Sequence, residues 1–265
     1  MNTDLIRIER KKTRMVRVGT LFIGGLAPVV VQEMTTTSPR RLEDTLREIA
    51  LLAQGGCRLV RVALPDVEAA RAVRALKDRS GVALVGDVHF DERIALAAIE
   101  SGIDKLRLNP GNIGSSKGVE RIARAAKERG IPIRVGVNAG SLEKDILERY
   151  GGPGAEGMVE SALGQVSLLE KCGFTDIVVS LKSSDVGTTI TANKLISSRV
   201  DYPLHIGVTE AGYGEHGSIR SAIGLGALLL NGIGDTVRVS LTSRNRLENL
   251  ALCKRVLTGL GISHA

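Results

Sequence analysis

The chain has 265 residues, 43% of them apolar and 25% charged, and Lys plus Arg exceed Asp plus Glu by 36 to 29 for a formal charge of +7. This length suits one barrel-sized domain, and the composition excludes disorder and supplies enough apolar surface for a real core. The positive balance favours anionic partners, whereas a 2% aromatic content without Trp provides no ring faces for stacked bases and argues against nucleic acid.

The chain opens on a basic run, Arg7, Arg10, Lys11, Lys12, Arg14 and Arg17, interrupted by Asp4 and Glu9. It reads as a solvated lead-in, not as a transit peptide. A hairpin is expected near residues 13–25, so that residues 1–27 lead into a single domain spanning 1–265. The β-branched run Val29-Val30-Val31 ends the first core strand at Gln32, and Ser38-Pro39 predicts the N-cap and first residue of a helix.

The same alternation then repeats. Residues 58–63 read as a strand, Asp66 as the cap of an Ala- and Arg-rich helix, 82–88 as a strand and 91–100 as its helix. Strands follow at 105–108 and 133–137, with helices from Ser116, Ser141 and Ala155, and then strands at 176–181, 204–208 and 236–241. The final helix is expected over 245–260. Eight apolar strands alternating with helices, without low-complexity linkers, predict a closed α/β (β/α)8 TIM barrel in preference to an open doubly wound sheet. The most apolar stretch, 222–230, is far short of the roughly 20 residues that span a bilayer, so no membrane segment is expected. Cys57, Cys172 and Cys253 form no CxxC pair, and their odd number suggests reduced thiols in a cytoplasmic protein.

In such a barrel the functional face lies at the carboxyl ends of the strands. The second strand carries Arg61, the third Asp87 and His89, the fourth Arg107 and Asn109, and the fifth Arg134 and Asn138. The last three add Lys182 with Asp185, Thr209 with Glu210, and Arg238 with Ser240. Arg107 and Asn109, Arg134 and Asn138, and Arg238 and Ser240 are separated by even steps, so each pair faces one side of the sheet. A single strand arginine commonly serves a salt bridge. Cations from five strands are unfavourable together unless an anion compensates, and guanidinium forks suit phosphate oxygens. The Asn109-Pro110-Gly111-Asn112-Ile113-Gly114 loop and Gly212, Gly214 and Gly217 could cradle phosphate with backbone amides, or could simply be turns. His89 beside Asp87 is a candidate general acid or a structural hydrogen-bonding residue. No zinc-ligand spacing, GxSxG elbow, Walker A loop or dinucleotide fingerprint stands at a suitable junction.

Several strings are more specific. Residues 14–25, Val31-Gln32, Leu59-Val60-Arg61-Val62, Asp87-Val88-His89-Phe90-Asp91, residues 106–114 and 133–144, Thr209-Glu210-Ala211-Gly212, and residues 221–226 and 234–240 together resemble the 4-hydroxy-3-methylbut-2-enyl diphosphate synthases. The resemblance covers nearly the whole chain. It implies a barrel that binds 2-C-methyl-D-erythritol 2,4-cyclodiphosphate, opened reductively in isoprenoid biosynthesis with a 4Fe-4S cluster. It implies that Arg61, Arg107, Arg134, Lys182 and Arg238 hold diphosphate oxygens and that Asn109, Asn138, Thr209 and Ser240 bind the same substrate. Glu210 would act near the reacting carbon, with Asp87 and His89 as further catalytic candidates.

Family members continue into a cluster domain bearing a CPTC segment, which does not occur here, so the cluster ligands are expected outside this chain and the chain alone is expected to be inactive. A cluster domain in cis or trans, a flavodoxin or ferredoxin electron donor and a homodimer are implied by the resemblance alone. Gln32-Glu33-Met34-Thr35-Thr36-Thr37 also departs from the more usual QSMTNT, placing a carboxylate where a small hydroxyl is expected. Two other readings remain. One is a diphosphate-binding module without turnover. The other is a Schiff-base phosphosugar aldolase on Lys182, for which borohydride trapping is the discriminating observation, although no proton shuttle is evident beside that amine.

Overall fold

The computed structural model describes residues 8–89, 91–108, 116–243 and 245–265. Its first element is the expected hairpin, β1 (Val16–Val18) paired antiparallel with β2 (Leu21–Ile23). Strand alternation buries Val16, Val18, Leu21 and Ile23 on one face and turns Arg17 and Phe22 away from it. The apolar face packs on Val30, Leu59, Ala83, Val85 and Val178, and so plugs the amino-terminal end of the barrel. Ile23→Ala should therefore leave a cavity in the plug and lower stability by about 2–4 kcal/mol. Urea unfolding reads this, and an unchanged midpoint would mean that the floor does not depend on the hairpin.

Eight parallel strands form the wall: β3 (Val30–Met34), β4 (Leu59–Ala63), β5 (Ala83–Asp87), β6 (Lys105–Leu108), β7 (Ile133–Asn138), β8 (Ile177–Lys182), β9 (His205–Ile206) and β10 (Thr236–Val237). Their order is β8-β7-β6-β5-β4-β3-β10-β9, and a parallel bridge from Val179 to Leu204 joins the two ends and closes the barrel. The expected (β/α)8 TIM barrel is thus present. Outside it run α1 (Leu42–Gln54), α2 (Val67–Ser80), α3 (Glu92–Glu100), α4 (Ser116–Glu128), α5 (Lys144–Tyr150), α6 (Ala155–Lys171), α7 (Val186–Ser197), α8 (Gly214–Leu230) and α9 (Arg246–Gly259). The main core lies between these helices and the outward faces of the strands, where Val31, Val60, Val62, Leu84, Leu106, Ile133, Val179 and Val237 meet Ile49, Val73, Ile99, Ile122 and Leu257.

Side-chain caps start several helices where the sequence places them. Asp66 accepts from Ala69 N at 2.9 Å, Asp91 from Arg93 N at 2.8 Å and Asn245 from Leu247 N at 3.1 Å. The first helix differs from expectation, because it begins at Leu42 after Arg41 and not at Pro39. Ser38 O takes the Arg41 amide and the Thr45 hydroxyl, both at 2.8 Å, while Glu48 of α1 reaches back to the amides of Thr36 and Thr37. Those local bonds hold 36–41 in a turn.

The seventh and eighth barrel strands are also shorter than predicted, at two residues each. Beyond them the chain stays alongside its neighbours through single bonds, Arg238 N to Ile206 O and Thr209 N to Ser183 O, and Gly207 stands where an added Cβ would collide with the Arg238 carbonyl. The described part of the basic lead-in is solvated only in part: Lys12, Arg14 and Arg17 are exposed, whereas Arg10 and Lys11 are partly buried. Arg10 pairs with buried Asp235 at 3.2 Å, Lys11 reaches Val200 O at 2.6 Å, and Arg14 stacks 4.9 Å above the Tyr202 ring. These residues tie the lead-in to the barrel's underside. Among the described residues no helix is long and apolar enough to cross a membrane.

Candidate active site

Strand parity sorts the barrel interior into layers. Hydrophobic residues fill the plugged floor, and polar residues take over toward the carboxyl ends. There a cavity is lined by Arg61 of β4, Asp87 of β5 and His89 just beyond it, Arg107 of β6, Arg134 and Asn138 of β7, and Lys182 of β8. Thr209, Arg238 and Ser240 complete its far side. Glu210 lies in an adjoining groove with Tyr213, Arg246, Arg238 and Ser240, so Arg238 and Ser240 connect the two spaces. Asn109 and the loop that follows it lie outside the described residues.

Two glycines make room for the cations. A Cβ at Gly136 would stand 2.9 Å from Arg107 Nε, and one at Gly207 would stand 3.1 Å from Lys182 Nζ. Glu210 adopts φ 49°, a left-handed conformation that a non-glycine residue seldom takes without support from its surroundings. Of the glycines expected to cradle phosphate, Gly217 has a packing reason, since a Cβ there would meet Gly212 O at 2.6 Å, and its amide already bonds Tyr213 O. Asp185, grouped with Lys182 in the sequence, instead caps α7 by accepting from Thr188 N at 2.6 Å.

Asp87 is the hub of the mouth. It accepts from Arg107 Nη1 at 3.3 Å, faces His89 Nε2 at 3.4 Å and lies 3.8 Å from Arg61 Nε. Burial opposes its charge, but Arg61, His89 and Arg107 outweigh burial and hold its carboxyl well below the usual range. His89, half exposed, also sits 3.2 Å from Arg107 Nη1 through Nδ1, which fits an orienting role at the rim. A second carboxylate was not anticipated by the site reading. Glu33 is fully buried and accepts from Arg238 Nε at 3.1 Å, so the residue that departs from the family pattern is the charge partner of a mouth arginine.

The deeper cations lack such partners. Arg134 has Nε and Nη1 without a hydrogen bond among the described residues, and burial followed by Arg61 and Arg107 disfavours its charge. A guanidinium nevertheless stays protonated, so proton loss does not relieve the cost of its burial. Lys182 Nζ stands 3.0 Å from His205 Nε2, and His205 Nδ1 stands 3.2 Å from Thr236 Oγ1. Burial, then Lys182, pushes the imidazole well below its ordinary range and so favours its neutral form. Burial, then Arg134, Arg238 and Arg61, pushes the Lys182 amine well down. No proton shuttle is evident beside Lys182 in the sequence, whereas the fold places His205 there. Lys105 and His205 are not among the site residues expected from the sequence, and Glu33 stands there only as a departure in the first loop. The alternation Lys105-Leu106-Arg107-Leu108 carried a signal for the first, since it puts Lys105 on the face of Arg107.

The cysteines do not form a cluster site. Cys57 and Cys253 are buried behind the wall, where desolvation raises their thiols to about 11 and about 12, and Cys172 ends α6. Among the described residues no group of His, Cys, Asp and Glu could hold a metal ion. The residues present therefore do not fit a 4Fe-4S cluster.

Residues 13–254 match the family described as the GcpE TIM-barrel domain. The 4-hydroxy-3-methylbut-2-en-1-yl diphosphate synthase (flavodoxin) of Caldanaerobacter subterraneus subsp. tengcongensis is 53% identical over 253 residues, 96% of this chain and 71% of that protein. The protein of the same name from Geobacillus kaustophilus is 53% identical over 256 residues, 97% of this chain and 68% of that one. Among solved structures, a truncated 3-deoxy-D-arabino-heptulosonate 7-phosphate synthase from Thermotoga maritima superposes with a TM-score of 0.66 at 12% identity, covering 96% of this chain and 95% of that one. Type I 3-dehydroquinate dehydratase from Clostridium difficile gives 0.63 at 11% identity over 92% of this chain and 98% of that one. Those two share the barrel fold.

Proposed function

The chain belongs to the GcpE TIM-barrel family, and from that membership we propose that its mouth binds 2-C-methyl-D-erythritol 2,4-cyclodiphosphate as the substrate barrel of a 4-hydroxy-3-methylbut-2-enyl diphosphate synthase. The observation that carries the reading is the charge imbalance. Arg61, Arg107, Arg134, Lys182 and Arg238 converge on one cavity, and the only carboxylates that pair with any of them among the described residues are Asp87 and Glu33. In a low-dielectric recess that surplus favours a polyanion strongly.

Each residue has a part that its position supports. Arg107 and Arg61, oriented by Asp87, present guanidinium edges to phosphate oxygens, and Arg238, held at Nε by Glu33, does so from the opposite side. Arg134 supplies positive charge from below, and Lys182 adds to it as a bound anion favours its protonated form. Asn138, Thr209 and Ser240 hydrogen-bond the ligand, and Asn109 is assigned with them by resemblance. Glu210, beside Arg238 and Ser240, holds or donates a proton at the substrate hydroxyl, with Asp87 and His89 orienting the arginines.

The relatives are named as synthases that use flavodoxin, and a flavodoxin donor is accordingly part of the proposal. The cluster would be carried by a separate domain, in cis or in trans, and residues 1–265 form the substrate domain, inactive without it, of a cytoplasmic homodimer. The Schiff-base reading is not favoured, because the relatives carry the synthase name.

Calorimetric titration of the chain with the cyclodiphosphate tests this. Arg107→Ala should weaken binding by about 1.5–3 kcal/mol through loss of a charge-assisted pair. Unchanged affinity in a folded variant would remove Arg107 from the site.

A further inference from the structure

Beneath the mouth lies a feature that the substrate reading does not use. Lys105 is 0% exposed, and its Nζ has no hydrogen-bond partner among the described residues. The charged groups that act on it are Arg134 of β7 and Arg61 of β4, both cations, and it acts in turn on His205 of β9. No carboxylate is among these groups. Buried lysines are ordinarily paired, and an aliphatic residue of the same length would fill this space without desolvating an amine. The lysine therefore lowers the stability of the empty barrel, and no charged group among the described residues compensates it.

Register indicates where that compensation enters. Leu106 and Leu108 face the outer core, so Lys105 faces inward with Arg107, which lines the mouth. Two residues along a strand place Lys105 about 7 Å below Arg107. We propose that Lys105 is a further anion-binding residue of the site, whose counter-charge is the phosphate of the ligand itself. The proposal rests on the anion reading of the mouth given above.

Burial, reinforced by Arg134 and Arg61, pushes the Lys105 amine well below its ordinary range, so the empty barrel favours its uncharged form. An anion above it reverses that balance, and the amine takes one proton as phosphate binds. The proton comes from the buffer acid, which is left as its conjugate base, and no other bond forms or breaks.

The test titrates the 265-residue chain with inorganic pyrophosphate at pH 8 in buffers of different ionisation enthalpy, with Lys105→Met beside it. Removing one charge at this range should lower affinity about tenfold. The variant should also take up fewer protons on binding and melt higher than the wild type when empty. Equal affinity and equal proton uptake would overturn the assignment of Lys105 while leaving the anion reading intact. If Lys105→Met does not fold, Lys105→Gln is read in the same way, and loss of folding in both would make the lysine structural and end the proposal. A wild-type chain that takes no pyrophosphate would instead overturn the anion reading, and Lys105 with it.

Discussion

Replacing Asp87 with asparagine should destabilise the empty barrel by about 3–5 kcal/mol, the range for removing one partner of a buried ionic group. The carboxylate is 6% exposed and faces Arg107, Arg61 and His89, and asparagine keeps its shape while removing its charge. The cations then stand uncompensated. Saturating pyrophosphate should restore part of the loss, because the ligand supplies the missing charge and binds only the folded chain. Urea unfolding with and without pyrophosphate measures both effects. An Asp87→Asn barrel as stable as the wild type would show that the arginines do not need this carboxylate. The pH dependence follows from the same group. Its carboxyl titrates lower in the folded chain than in the unfolded one, so its contribution is complete above the unfolded value of about 3.9 and declines as pH falls below it. Wild-type stability should therefore lose an acid-sensitive component below about pH 4 that Asp87→Asn lacks.

Glu33→Gln should act in two opposite directions. Glu33 is fully buried against Arg238, whose side chain is 9% exposed, so loss of the negative charge should lower stability by about 3 kcal/mol. The same change frees Arg238 from an internal anion that competes with phosphate, and pyrophosphate affinity should rise about tenfold, or ~1.4 kcal/mol. Denaturation and calorimetry on one preparation separate the two. A variant less stable but no tighter in binding would mean that Glu33 orients Arg238 without competing for it. Unchanged stability would mean that the pair contributes nothing to the fold.

Much of the architecture was legible because it depends on local pattern. The alternation of apolar strands with capped amphipathic helices gave the barrel, and Asp66, Asp91 and Asn245 cap the helices they were expected to begin. The mouth was legible for a related reason. In a parallel barrel every strand ends on the same face, so Arg61, Arg107, Arg134, Lys182 and Arg238 converge wherever the register permits. Pro39 misled because the turn before α1 is held by bonds from the Thr36 and Thr37 amides to Glu48, 12 and 11 positions along the chain.

The sequence by itself determined the barrel, the polarity of its carboxyl-terminal face and the surplus of cations there, since strand period and residue charge are local properties. Only the tertiary structure decided which cations are neutralised. The pairing of Arg238 with Glu33 joins strands that meet through closure of the barrel, and the contact of Lys182 with His205 joins β8 to β9 across the seam. Such pairings depend on shear and on distances between segments far apart in the chain, which no local period encodes. For the same reason the isolation of Lys105 became visible only once the surrounding strands had closed around it.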